Sequence, residues 1–286
     1  MSTTTVIHDP SDLAPYADGT LVPTMGALHE GHLSLLRAAR ELGGPVIASI
    51  FVNPTQFAPG EDFQTYPRDL DRDVALAEAA GCDAIYAPSA AAIYPEGPEA
   101  AVATAASVEV PEVGRRPGLE DGDRPRFFGG VCLVVERLLR QTEPARAVFG
   151  EKDWQQLQVI RALVRETPTL SHIPIFAAST VREPDGLALS SRNRRIPTEE
   201  RPRALGVVKA LQVAQAAQHP GTAEELMTET LLAHDLVVDY AVVRHPETLR
   251  PVRDLTEPTR ALIAVRLQWS DGEVRLIDNR AMTVWP

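Results

Sequence analysis

Apolar, strand-like runs recur along the first two thirds of this chain at 21–24, 46–52, 83–87, 145–149 and 173–177, with helical patterns between most of them. Leu33, Leu36 and Ala39, then Leu70, Val74 and Ala77, then Val131, Val134, Val135 and Leu138, then Leu157, Ile160 and Val164 return at three- and four-residue intervals, the spacing of one helix face. Continuous apolar strands alternating with amphipathic helices predict an α/β fold: a doubly wound, Rossmann-like parallel sheet with helices on both faces. Ligands of such sheets bind beyond the carboxyl ends of the strands, so the residues that follow each run carry the functional interest. After the turn Glu183-Pro184-Asp185-Gly186 the order changes. Helical segments near 199–218 and 223–234 precede strands at 237–244, 261–267 and 274–277, which predicts a smaller α+β C-terminal domain. The expected division is 1–184 and 185–286. The stretch 88–130, rich in Ala, Pro and Gly, reads as long connections with short strands.

At 286 residues, 44% hydrophobic and 23% charged, the composition is that of a globular protein and excludes disordered or fibrous classes. The formal charge of −11 argues against a nucleic-acid partner, whose phosphate backbone demands a basic surface. No apolar stretch approaches a bilayer span, so no membrane partner is expected. The N-terminal residues show no basic segment followed by an apolar one, and no secretory leader is expected. Cys82 and Cys132 form no disulfide or metal pattern and fit a reducing, cytoplasmic compartment.

Where the run at 21–24 gives way to a helix stands Met25-Gly26-Ala27-Leu28-His29-Glu30-Gly31-His32. Residues three apart share a helix face, and the first turn of a helix offers unpaired N–H groups at the positive end of its dipole. Two imidazoles there make a phosphate site, with Gly26 allowing close backbone approach and Gly31 leaving space between the rings. The alternative is a pair of surface histidines opening an ordinary helix. Zinc is a weaker reading, because neither cysteine is near and no third ligand is suitably spaced. All but two of the 28 basic residues are arginine. Lys209 lies on the solvated face of a helical pattern. Lys152 lies in Gly150-Glu151-Lys152-Asp153, at a second strand-to-helix junction, where a compact, mobile cation suits chemistry that a planar guanidinium does not.

The string Pro23-Thr24-Met25-Gly26-Ala27-Leu28-His29-Glu30-Gly31-His32 resembles the pantoate–β-alanine ligases of the HxGH nucleotidyl-transfer superfamily. The resemblance continues through 49–57, Tyr66-Pro67-Arg68, 149–157, Thr180-Val181-Arg182-Glu183 and Leu189-Ser190-Ser191-Arg192-Asn193, which match in type, order and spacing. It covers about 23–193; the rest fits the family's small lid domain by length and pattern. It implies an ATP-dependent condensation of pantoate with β-alanine, through a pantoyl adenylate, with release of AMP and pyrophosphate. It also implies Mg2+ accompanying ATP, and a homodimer. For ATP it implies Met25 to His32, Gly150, Glu151, Lys152, Asp153, Val181, Leu189, Ser190, Ser191 and Arg192, with His32 the proton donor and His29 and Lys152 its catalytic companions. Gln56 and Gln156 match the family's pantoate-holding amides; read as bare residues, they are equally a turn residue and a helix-surface residue. Val131, Val134 and Val135 either wall pantoate's geminal methyls or are plain core. A protein ligand for magnesium is unassigned, with Asp73 a candidate by position alone.

One departure stands out. Where the family reads Arg-Pro-x-His-Phe, this chain reads Arg124-Pro125-Arg126-Phe127-Phe128, so hydrogen bonding from the histidine position is absent; the insertion-like 119–123 adjoins it. Three rival readings have their own discriminators. A nucleotidyltransferase of the same superfamily would leave AMP on its product; Gln56, Gln156 and the Asn53-Pro54 loop favour the ligase. A class I aminoacyl-tRNA synthetase would carry a Lys-Met-Ser-Lys-Ser loop, which this chain lacks. A non-catalytic nucleotide-binding protein has no need of His29, His32, Lys152 and Arg192 together.

Overall fold

A computed structural model describes residues 4–57 and 63–282 and divides the chain into two units, one of residues 1–151 and 155–179, the other of 152–154 and 180–286. The first three residues, part of the segment read for a leader, lie outside the described residues. Along the first unit run β1 (Thr5–Ile7), β2 (Thr20–Thr24), α1 (Glu30–Glu41), β3 (Val46–Ile50), α2 (Leu70–Ala79), β4 (Ala84–Tyr86), α3 (Ala90–Ile93), α4 (Pro98–Ser107), α5 (Glu120–Asp123), α6 (Phe127–Thr142), β5 (Arg146–Gly150), α7 (Trp154–Glu166) and β6 (Ile175–Ala178). The strands form one six-stranded sheet in the order β1-β4-β3-β2-β5-β6, every pairing parallel. The sheet is the one anticipated, apart from β1, a three-residue edge strand too short to register as a pattern.

The winding reverses at the centre. From β2 the chain steps outward through β3 to β4, and from β5 it steps the opposite way to β6. Right-handed crossovers then set α1 and α2 on one face and α7 on the other. The reversal leaves a crevice at the carboxyl ends of the neighbouring strands β2 and β5, where such sheets bind ligands. The strands at the centre are apolar because both faces are covered: Leu21, Val22, Val46, Ile47 and Ala48 are fully buried. Leu33, Leu36 and Ala39 of α1 pack with Val22, Ala48, Ile85 and Val148 in one cluster, and burying a leucine such as Leu36 contributes about 2 kcal/mol. Arg37, Arg40 and Glu41 occupy the outer side of the helix.

The stretch 88–130 differs from its expectation: its described secondary structure is helical, not short strands. Pro98 opens α4 from the first turn, Ser89 caps α3 by accepting from the Ala92 N–H at 3.1 Å, and the alanines between are the strongest helix formers. Proline and glycine there mark helix starts as well as turns.

The second unit holds α8 (Arg201–Ala204), α9 (Gly206–Ala214), α10 (Pro220–Leu232) and an antiparallel sheet of β7 (Val237–Arg244), β8 (Arg260–Trp269) and β9 (Gly272–Ala281) in that order. Val207, Leu211, Met227 and Leu231 of the helices share a core with Ile263, Val265 and Leu276 of the sheet. Among the described residues no helix is long and apolar enough to cross a membrane.

Candidate active site

The segment after β2 is shaped by backbone constraints before any side chain acts. Gly26 has φ +79 and Ala27 φ +51, two successive left-handed residues that turn the chain from β2 into α1. A Cβ at Gly26 would lie 2.9 Å from Asp73 Oδ2 and 3.0 Å from Ile50 Cγ2, so both conformation and space require glycine there. The Asp73 carboxylate, from the first turn of α2 and 2% exposed, accepts the Ala27 N–H at 2.8 Å and the Leu28 N–H at 2.7 Å. The Gly26 N–H donates to Thr24 Oγ1 at 3.1 Å, whose hydroxyl donates to the Ser49 carbonyl of β3 at 2.8 Å.

His29 caps α1: its Nδ1 accepts the Gly31 N–H at 3.2 Å. An Nδ1 that accepts places a ring proton on Nε2, so His29 keeps a donor on the far side of its ring. The His32 ring stacks on it, centroids 4.1 Å apart at 23°, as the three-residue spacing requires. The Glu30 carboxylate pairs with Arg37, and that hydrogen bond holds it below the usual carboxylate range; what Glu30 offers a ligand is its backbone. Both imidazoles therefore open the twelve-residue α1, where the helix dipole and N–H groups favour an anion.

Beyond β3, the turn Pro54–Gln56 is organised by Asn53, 1% exposed. Asn53 Oδ1 accepts from the Tyr94 hydroxyl at 2.6 Å, the Thr55 hydroxyl at 2.9 Å and the Thr55 N–H at 3.2 Å. Its Nδ2 donates to Gln56 Oε1 at 3.0 Å and to the Gly130 carbonyl at 3.2 Å. With donors on one side and a carbonyl on the other, the Asn53 amide has only one orientation, and it commits Gln56 Oε1 while turning Gln56 Nε2 away as a donor. Gly130 lets α6 approach: a Cβ there would sit 2.4 Å from the Thr55 carbonyl oxygen. Burial pushes the Tyr94 phenol up to about 12, so it donates at any working pH. Val131, Val134 and Val135 of α6 are buried.

At the histidine-to-phenylalanine departure, the Arg124 guanidinium lies 4.1 Å over the Phe127 ring and donates to the Gln56 carbonyl at 3.1 Å. The turn that carries Gln56 is thus held from both ends. The adjacent glutamines of α7 differ sharply. Gln155 is buried, accepting from the Glu120 N–H at 2.9 Å and donating to the Val113 carbonyl at 2.8 Å and Asp121 at 2.9 Å. Gln156 is half-buried.

In the second unit, Lys152 Nζ lies 3.6 Å from Asp153 Oδ1 with its side chain 22% exposed. The backbone around it is well anchored. The Lys152 carbonyl accepts from Asn279 at 3.0 Å, Trp154 Nε1 donates to the Pro246 carbonyl at 2.7 Å, and Arg260 stacks 3.3 Å over the Trp154 ring. The segment 181–189 is a tight hairpin. Leu189 N–H donates to the Val181 carbonyl at 2.9 Å and Glu183 N–H to the Leu187 carbonyl at 2.8 Å, around the expected turn. Arg182 forms a bidentate pair with buried Asp278 at 2.6 and 3.0 Å. Ser190 caps the short 3-10 helix Ser191–Arg195 by accepting the Arg192 N–H at 3.3 Å, and Arg192 is exposed. The side-chain bonds of Asn193 to Glu183 at 2.6 Å and to the Ala188 carbonyl at 3.0 Å fasten helix to hairpin.

The sequence points to the Asn53-Pro54 loop and to the segment of Arg124, but not to the bonds that Asn53, Arg124, Tyr94 and Asp73 make around Gln56 and the loop after β2. Position alone offers Asp73 as a metal ligand or a solvated acid; the structure buries it, with each of its oxygens accepting from the loop backbone. Among the described residues no group of three or more His, Cys, Asp or Glu side chains is placed to hold a metal ion.

Comparison with known proteins bears directly on this arrangement. The family model described as pantoate-beta-alanine ligase matches residues 11–281. The pantothenate synthetase of Rubrobacter xylanophilus is 48% identical over 270 residues, covering 92% of this chain and 90% of that protein; that of Stenotrophomonas maltophilia is 48% identical over 264 residues, covering 91% and 90%. A crystal structure of the enzyme from Thermus thermophilus superposes with a TM-score of 0.87 at 38% identity, covering 98% of this chain and 99% of that one. The pantoate-beta-alanine ligase of Francisella tularensis, complexed with beta-gamma ATP and beta-alanine, gives 0.76 at 30% identity with 98% of each chain covered.

Proposed function

This chain belongs to the pantoate–β-alanine ligase family, joining pantoate to β-alanine with ATP as the energy source, and from that premise we propose how its residues divide the work. In the first half-reaction a pantoate carboxylate oxygen attacks the α-phosphorus of ATP, the P–O bond to the β-phosphate breaks, and pyrophosphate departs. Carboxylate and triphosphate repel one another, so this step needs cations and N–H donors around the phosphoryl group more than it needs a base. The observation that carries the assignment is the stacked His29–His32 pair at the amino end of α1, beyond β2 at the sheet's reversal. His29 Nε2 and His32 donate to the phosphates, with His32 passing a proton to the leaving group. Residues 25–28 make backbone contacts to the nucleotide through the groups that Thr24 and Asp73 leave to them, the carbonyls above all, and Gly150, Glu151, Asp153, Val181 and Leu189 add further backbone contacts. Lys152 follows charge as it develops on the α-phosphate, and Ser190, Ser191 and Arg192 attend the remaining phosphate oxygens.

Gln56 and Gln156 hold pantoate. A neutral amide orients a hydroxyl and a carboxylate without adding a charge that would compete with the reaction, and the Asn53 clamp on Gln56 Oε1 supports a donor role for Gln56 Nε2. In the second half-reaction the β-alanine amine attacks the acyl carbon, the C–O bond to AMP breaks, and the nitrogen sheds a proton as the amide forms. Magnesium enters as part of the substrate: Mg2+ on a triphosphate takes most of its ligands from phosphate and water, and the Asp73 oxygens already accept two N–H groups. The division 1–184 and 185–286 into an ATP- and pantoate-binding domain and a lid domain is likewise proposed, as is a cytoplasmic homodimer; the family resemblance supports the homodimer, and two buried free thiols fit the reducing compartment. Pantoate-dependent exchange of labelled pyrophosphate into ATP, without β-alanine, tests the adenylate; exchange that ignores pantoate overturns it.

A further inference from the structure

We infer that Asp73 is a positioning residue for ATP: its buried carboxylate clamps the Ala27 and Leu28 N–H groups and thereby aims His29, His32 and the amino end of α1. The inference rests on the reading of residues 25–32 as the phosphate site. Ala27 is a non-glycine residue at φ +51, a conformation that costs about 1 kcal/mol or more and persists only where the surroundings impose it. The imposing group is visible. Asp73 is 2% exposed, and burial of a carboxylate is tolerated only when its oxygens are hydrogen-bonded; each of them takes one N–H from successive residues of the loop, at 2.8 and 2.7 Å. Bonds from N–H to an ionised acceptor are the stronger kind, and the amino end of α2 further favours the anion.

The clamp spans 45 residues of sequence and ties the loop after β2 to a different helix, so α1 does not begin wherever its own propensity would start it. Asp73 Oδ2 also stands where a side chain at position 26 would go, which keeps the loop backbone bare on that side. The carboxylate thus does two things for a phosphate ligand that it never touches. It fixes the direction of the first turn of α1, and it takes up the Ala27 and Leu28 N–H groups so that the strained turn persists without a ligand.

Asp73→Asn exchanges one acceptor oxygen for an NH2 group that faces a backbone N–H. A misplacement of about 1 Å at a reacting centre costs about 100-fold, so kcat/KM for ATP should fall about 100-fold while KM for pantoate stays within about threefold. Ala27→Gly in the Asp73→Asn background takes φ +51 without strain and should recover at least about fivefold in kcat/KM for ATP. Either of two results overturns the inference. One is an Asp73→Asn enzyme whose kcat/KM for ATP stays within about threefold of the parent. The other is a uniform loss in all substrate parameters, with a lowered unfolding temperature and no recovery from Ala27→Gly, which identifies a merely structural acid. His32→Ala, assayed in parallel, separates the premises: full activity there defeats the phosphate-site reading itself, whereas an inactive His32→Ala beside an unaffected Asp73→Asn defeats only the role of Asp73.

Discussion

Replacing Asn53 by Asp keeps size and shape and inverts one half of a buried network. The three bonds accepted by Oδ1 survive, but the two donated by Nδ2, to Gln56 Oε1 and the Gly130 carbonyl, become acceptor against acceptor. Each lost bond costs about 1 kcal/mol and each buried acceptor left unsatisfied costs about 1 more, so the protein should lose about 2–4 kcal/mol of stability. The kinetic consequence is more specific. Gln56 can rotate its amide to donate Nε2 to the new carboxylate, and it then shows Oε1 instead of Nε2 to pantoate. Exchanging a donor for an acceptor opposite a carboxylate forfeits a charge-assisted bond worth about 2 kcal/mol, which corresponds to about a 30-fold rise in KM for pantoate. AMP release measured across pantoate and ATP concentrations, with thermal unfolding beside it, reads both effects. KM for pantoate should rise while KM for ATP stays within about threefold. An equal rise for both substrates, or a pantoate KM unchanged within about twofold, would refute the Asn53–Gln56 reasoning.

Lys152→Ala should lower kcat about 100- to 1000-fold, as loss of one electrostatic stabiliser does, with an unchanged unfolding temperature, because the backbone and Trp154 bonds that anchor the segment remain; single-turnover adenylation is the measurement. Phe127→Ala removes the ring beneath Arg124 and should raise KM for pantoate about fivefold, the worth of about 1 kcal/mol in a partly exposed cation–π pair, leaving KM for ATP unchanged in steady-state kinetics. Burial pushes the Cys82 thiol up to about 11 from 9.0 and the Cys132 thiol to about 12. Both are neutral when folded, so a thiol reagent at a pH of about 8 should find neither until the protein unfolds. Their contribution to stability is complete below the ordinary thiol value of 9.0; from there to about 11 the unfolded thiols ionise while Cys82 does not, so the unfolded state binds fewer protons and stability falls as pH rises. Urea midpoints at pH values of about 8 and about 10 should therefore lie closer together in Cys82→Ala than in the parent.

The features legible in the sequence are those written in local spacing. His29 and His32 declare a shared helix face, the apolar runs declare strands covered on both sides, and Glu183-Pro184-Asp185-Gly186 declares its turn. What escapes is written between distant residues. Asp73 looks like any acid on a helix, because its partners are backbone N–H groups that carry no side-chain signature. Tyr94 reaches Asn53 across 41 positions. Gln155 and Gln156 are identical letters, and only the phase of α7 decides that the first is a buried strut. At Phe127 the family pattern announces a lost hydrogen bond, while the Arg124 stack that occupies its place emerges only when α5, α6 and the Gln56 turn are seen together.

Activation of a carboxylate by ATP and its transfer to an amine is the chemistry of this family. Its most direct test is AMP and pyrophosphate release from ATP and magnesium, with pantoate and β-alanine supplied together and each omitted in turn. Sustained AMP release, equimolar with pantothenate, should occur only when both are present. Sustained AMP release without β-alanine, or an adenylylated product that keeps its AMP when the amine is supplied, would contradict it.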